Sequence, residues 1–191
     1  MKDSPVRQKI VETATRLFYE KGYNLTGINE IIKEAEIAKA TLYHHFKSKE
    51  DICLAYLHYK NDTFTQDISA FVDAVTPGQD QILALFGFLR SFFHDKDFNG
   101  CWCLNTISEL PKGSDRIREE IQAQKAQLIR YIGGLVAKHF PELGESKQGA
   151  LARKIYLLYE GALSESHLHG EPWPIEEAED LCRVMLQQAE G

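Results

Sequence analysis

Ile10, Ala14, Leu17 and Phe18 recur at the three- and four-residue spacing of one helix face, and nearly every later segment repeats that pattern. No stretch alternates apolar and polar residues at period two for long enough to build a strand, which confines the chain to an all-α fold. With 191 residues, 43% of them hydrophobic and 26% charged, it can bury one compact body or a small head on a larger body.

Start and stop signals divide the pattern. Gly22, after Glu20-Lys21, ends the first helix. Thr26 stands where it would cap a short second helix that buries Ile28, Ile31, Ile32 and Ala35. Ile37 opens a tight turn into a third helix ending near His45, and Ser48-Lys49-Glu50-Asp51 is a capping box for a fourth that can run to about Val75. Thr76-Pro77-Gly78-Gln79 predicts the start of a fifth helix, reaching about Phe93. Residues 101–110 form a short sixth before Pro111, a seventh runs from Ser114 or Asp115 to Phe140, and spans of about 147–169 and 174–189 complete the chain.

Several classes are excluded. Cys53, Cys101, Cys103 and Cys182 are too few and too unevenly spaced for a disulfide framework. The N-terminus lacks the apolar run of a signal peptide, and the longest apolar run, Ile82 to Leu89, is far short of a membrane span, so a cytoplasmic protein with no membrane partner is expected. The net charge of -6 is unevenly divided: residues 1–60 hold 10 of the 22 Lys and Arg and 8 of the 28 Asp and Glu, a balance of +2, which leaves 12 and 20, a balance of -8, for the rest. Only the first segment suits a polyanion.

Three short helices in the first 47 residues, the second and third joined tightly, describe a helix-turn-helix head. Leu42 and Phe46, four apart, would face the head's own core. That leaves Lys39, Ala40, Thr41, Tyr43, His44 and His45 on or near the exposed side, where they can bond phosphates or base edges, with Lys47 and Lys49 flanking the helix end. A metal site is not expected. His44 and His45 point about 100° apart on a helix with no second ligand pair, and His167 and His169, beside Glu165, also lie on different faces. No nucleophile with a partner base is evident, so neither an enzyme nor a cofactor is expected.

The run A14-TRLFYEKGYNLTGINEIIKEAEIAKATLYHHFKSKEDI-52 combines F-x-x-x-G-Y in the first helix, I-x-x-x-A in the second and the block T-L-Y-x-H-F-x-x-K-E. It closely resembles the DNA-binding head of the TetR family of transcriptional regulators. The resemblance implies an all-helical dimer, with a DNA-binding domain over 1–47 and an effector-binding and dimerisation domain over 48–191. Such a protein would bind a palindromic operator, usually as a repressor, and let go when a small molecule enters the body. Carried onto this chain, Thr26, Tyr43, His44 and Lys49 would contact phosphates, Lys39, Ala40 and Thr41 would face base edges, and His45 would lie near the backbone. The family usually has glycine where this chain has Glu36; a left-handed Glu36 would cost roughly 1 kcal/mol.

In the body, Leu151, Ile155, Leu158 and Ala162, with Leu181 and Met185, form stripes on the last two helices that suit a dimer interface. Phe64, Phe71, Phe86, Trp102, Leu128, Tyr131, Tyr156 and Tyr159 suit a largely apolar effector cavity with a few polar handles. Cys101, opening the sixth helix, and Cys103 form an alternative sensor, since the free N–H groups of a helix start stabilise a thiolate. A dimerisation module that ignores DNA would explain the C-terminal stripes but not the lysine-flanked third helix.

Overall fold

The computed structural model describes residues 4–111 and 113–190. Among the described residues there are nine α-helices and no strand, in the order α1 (Pro5–Lys21), α2 (Ile28–Glu34), α3 (Lys39–His45), α4 (Lys49–Asp73), α5 (Asp80–Phe93), α6 (Trp102–Glu109), α7 (Asp115–His139), α8 (Glu145–His169) and α9 (Trp173–Glu190). None is long and apolar enough to cross a membrane.

Local chemistry fixes several ends. The Ser4 hydroxyl accepts the Arg7 N–H at 3.1 Å and Pro5 takes the first helical position, so α1 starts with a side-chain cap and no wasted donor. Gly22, at φ 92°, ends it and donates its N–H to the Phe18 carbonyl. The Ser48 hydroxyl accepts the Asp51 N–H at 3.1 Å, which is the expected cap of α4. Gly170, left-handed at φ 66°, closes α8. The start signal Thr76-Pro77 is not used: α5 begins three residues past Pro77, because Gly78 turns at φ 155° and Gln79 becomes the capping position without a side-chain bond.

The chain packs as two units. The first comprises the chain up to Thr63 together with Cys101–Ala123, and the second Phe64–Gly100 with the chain from Gln124 onward. These packing units do not follow a 47/48 boundary, since the first half of α4, all of α6 and the start of α7 pack with the head.

In the first unit, Ile10, Ala14, Leu17 and Phe18 of α1 are buried with Ile31 of α2, Leu42 of α3, and Ile52 and Tyr56 of α4. Each buried aliphatic contributes about 1.5–3 kcal/mol relative to exposure, so this small head can hold its two short helices at a fixed angle. Surface pairs between α1 and α2, Arg16 with Glu34 at 2.9 Å and Lys21 with Glu30, add orientation more than stability.

In the second unit, α5, α8 and α9 pack on one another. Ile82, Leu85, Phe86 and Leu89 are buried there with Ile155, Tyr159, Ala162, Ile175, Cys182 and Leu186. A buried polar residue ties three helix ends together. The Gln81 Nε2 donates to the carbonyls of Val72 and Val75 at 3.3 and 3.1 Å, while its Oε1 accepts from Lys138 Nζ at 3.0 Å and bonds His139 Nε2 at 2.8 Å. The end of α4 thereby gains a side-chain donor, at the Val72 carbonyl, which also accepts the Val75 N–H, and at the Val75 carbonyl just beyond the helix.

Candidate nucleic-acid interface

Seven residues make two turns, enough to turn one side of α3 inward and leave the other out. Leu42 and the capping Phe46 are buried, as their four-residue spacing requires. Lys39, Ala40, Tyr43 and His44 are exposed, Thr41 and His45 half-buried, and Lys47, just past the end of the helix, exposed. The two histidine rings meet edge to face with centroids 5.1 Å apart, and the Arg7 guanidinium lies 5.0 Å from the centroid of the Phe46 ring. The result is a row of cations, hydroxyls and imidazoles on one side of a helix whose other side is locked into a core. Such an edge can hydrogen-bond phosphates and bases.

The connection between α2 and α3 has the conformation foreseen for Glu36, whose φ is 50°. Its N–H bonds the Lys33 carbonyl at 3.0 Å, and the Ile37 N–H bonds the Ile32 carbonyl at 3.2 Å, so the reversal satisfies the end of α2. The exposed Glu36 carboxylate lies 3.4 Å from Lys9 Nζ.

Two residues expected at phosphates make contacts within the head. Thr26 is fully buried, with its hydroxyl within hydrogen-bond distance of the Leu17 and Gly22 carbonyls at 3.1 and 2.8 Å; Gly27 holds the capping position of α2 without a side-chain bond. Carbonyls at and just past the end of α1 thus hold the hydroxyl that would otherwise cap α2. Lys49 is half-buried, with its ammonium 4.3 Å from the centroid of the Tyr23 ring. Burial lowers its pKa, against the pull of Cys53 and Glu109. Lys47 is the freer cation.

Of the residues expected around an effector, Trp102 falls in the first unit and the other seven in the second. Phe64 and Phe71 both lie against Phe88, with centroids 5.8 and 5.7 Å apart, and Phe86 lies 6.2 Å from Tyr159, both fully buried. Leu128 is buried; Tyr131 and Tyr156 are half-buried. The Tyr131 hydroxyl is buried without a hydrogen-bond partner among the described residues, and burial, aided by Asp73, pushes its pKa up to about 12. Cys101 caps α6 and Cys103 lies in its first turn, both of them buried, as are Cys53 and Cys182.

The expected dimer stripes divide differently. Leu151, Ile155 and Ala162 are buried within the chain and Leu158 is half-buried. Leu181 is exposed and Met185 half-exposed, and the helices also expose Leu157, Leu168 and Val184, which periodicity alone did not single out. Leu157 and Leu168 are eleven residues apart, three turns, and share a face; Leu181 and Val184 share another. Leu151 and Met185 line an open groove of about 530 Å³ with Leu143, Lys147, Lys154 and Gln188. Among the described residues no three His, Cys, Asp or Glu side chains converge as a metal site.

A buried three-helix head with an exposed recognition edge, followed by a helical body, defines a helix-turn-helix regulator. The family model described as bacterial regulatory proteins, tetR family, matches residues 10–56. The chain is 35% identical over 134 residues to the biofilm-operon HTH-type negative transcriptional regulator IcaR of Staphylococcus epidermidis, covering 66% of this chain and 69% of that protein. It is also 35% identical over 122 residues to the HTH-type transcriptional regulator YuxN of Bacillus subtilis, covering 63% of this chain but spanning only 39% of YuxN's length. The fold matches a TetR-family regulator from Streptomyces coelicolor with a TM-score of 0.86 at 26% identity, over 98% of this chain and 91% of that one. The chain belongs to the TetR family of transcriptional regulators.

Proposed function

We propose that this protein is a cytoplasmic repressor that binds a palindromic operator as a homodimer through α3 and leaves it when a small molecule enters the body. In this reading residues 1–47 bind DNA and residues 48–191 bind the effector and the second subunit. The observation that carries it is the two-sidedness of α3: Leu42 and Phe46 anchored in the core, Lys39, Ala40, Tyr43 and His44 exposed, with Lys47 beside them. One seven-residue helix spans only about 10 Å and reads too few base pairs for specificity, so two heads are needed, one on each half-site. The exposed leucines of α8 and α9 supply an apolar surface for that pairing. The likeness to IcaR, a negative transcriptional regulator, favours repression.

The buried, unpartnered Tyr131 hydroxyl favours a mainly apolar effector carrying one group that can bond it. Burial of Cys101 and Cys103 favours such non-covalent release over thiol chemistry at the start of α6. The test is selection of bound duplexes from a random library, followed by two variants. Lys47→Ala should weaken all sequences alike and reduce the slope of log affinity against log salt by about 1. Thr41→Ala should change which sequence wins. Absence of salt-dependent binding by the parent protein, or parent-like behaviour of both variants, would overturn the reading.

A further inference from the structure

The loop between α1 and α2 decides where α2 starts and therefore how α3 is presented. Two of its groups are held by one residue of α6. The carboxylate of Glu109, the last residue of that helix, accepts the Asn24 backbone N–H at 2.7 Å, and the Glu109 backbone carbonyl accepts the Asn24 Nδ2 at 2.8 Å. The same carboxylate fills the space where a side chain on Gly22 would stand. Gly22 in turn offers its carbonyl to the buried Thr26 hydroxyl, one residue before the capping position of α2.

The rest of α6 is fastened to the head's unit as well. Lys60 Nζ lies 5.4 Å from the centroid of the Trp102 ring and 4.2 Å from that of Tyr19 on α1, and Thr106 hydrogen-bonds the buried Tyr56 of α4. These contacts hold the start and middle of α6 to α1 and α4. Glu109 reaches the loop that leads into the helix-turn-helix.

We infer that Glu109 is a positioning residue for DNA binding: as a clasp on Asn24, beside Gly22, it sets the entry of α2 and gives α6 a grip on the head separate from α4. The inference rests on the DNA-binding reading above, but its sign is its own. Glu109 is an anion near a surface that meets a polyanion, so if charge were all that mattered, Glu109→Ala and Glu109→Gln would both tighten DNA binding. The clasp requires the two to differ. Glu109→Gln keeps an oxygen for the Asn24 N–H, whereas Glu109→Ala leaves that donor without it.

The experiment uses the full-length protein and the duplex selected from the random library, with each variant first shown to be folded by its helical circular dichroism and its melting temperature. Glu109→Ala should bind about tenfold more weakly than the parent, the scale of a lost hydrogen bond to a charged group, while Glu109→Gln binds at least as well as the parent. Hydrogen exchange at the Asn24 amide should be slow in the parent and in Glu109→Gln and fast in Glu109→Ala. If Glu109→Ala is too unstable to assay, the exposed substitution Asn24→Ala, which removes the Nδ2 bond alone, should weaken binding several-fold. Binding by a folded Glu109→Ala as tight as the parent's or tighter, or by Asn24→Ala unchanged in that second case, would overturn the clasp. Failure of the parent itself to bind the duplex would overturn the DNA-binding reading instead.

Discussion

Glu36 is a single residue in a conformation that its own side chain opposes. At φ 50° its Cβ crowds the following carbonyl, which costs about 1 kcal/mol. The Lys9 pair, exposed at both ends, offsets little of it. Glu36→Gly should therefore raise the free energy of unfolding by up to about 1 kcal/mol in urea titrations; a loss of stability would show that the added freedom of the unfolded chain and the lost Lys9 pair together outweigh the strain. This position was legible in the sequence because a family glycine is a statement about backbone angle. Thr26 was not legible. Its type is equally suited to capping α2 and to satisfying carbonyls left at the end of α1, and only the folded loop shows which acceptors lie nearer. The same holds for Lys49, whose tyrosine partner is 26 positions away in the chain.

At the scale of elements, helix ends were read well where a cap and its helix agree, as at Ser48, and poorly where a glycine intervenes, as at Gly78 before α5. The start of α4 adds a long-range pair that no local pattern announces: Asp51 bonds Arg116 in the first turn of α7 at 3.1 Å, and Glu50 bonds the same guanidinium at 2.9 Å. Burial pushes the Asp51 carboxyl up, but bonds from Arg116 and the Ser48 hydroxyl and the charge of Arg116 outweigh it, and its pKa lies below the usual range. A group whose folded pKa is depressed adds stability above its unfolded pKa of about 3.9, and that stability is lost as pH falls through the lower folded value. Asp51→Asn should accordingly lower stability at pH 7, with the deficit shrinking as the pH falls below about 4. Urea unfolding of parent and variant at pH 7 and pH 3 checks this; a constant difference would mean that the carboxylate charge is immaterial there.

For the whole molecule, the proposed pairing of two subunits needs an exposed apolar surface. Periodicity identifies residues that share a helix face, but α8 has leucines on more than one face, and spacing alone does not say which turns inward. The inward set is Leu151, Ile155 and Ala162; Leu157 and Leu168 remain outside. Leu157→Asp or Leu181→Asp should leave the fold intact and give a monomer in sedimentation, with operator binding lost. Ile155→Asp should instead unfold the second unit, because it buries a charge without a partner. A dimer that survives both exposed substitutions would move the interface elsewhere.

The four buried thiols have a consequence for the bench. Burial pushes Cys53 and Cys182 up to about 12, and Cys101 and Cys103 are just as covered. Since maleimides react with accessible thiolates, the native chain should label slowly with such dyes while it stays folded. Leu25, beside the clasp, is 80% exposed. A cysteine placed there would carry a single fluorophore with every native cysteine left in place, and the movements of the head become readable as light.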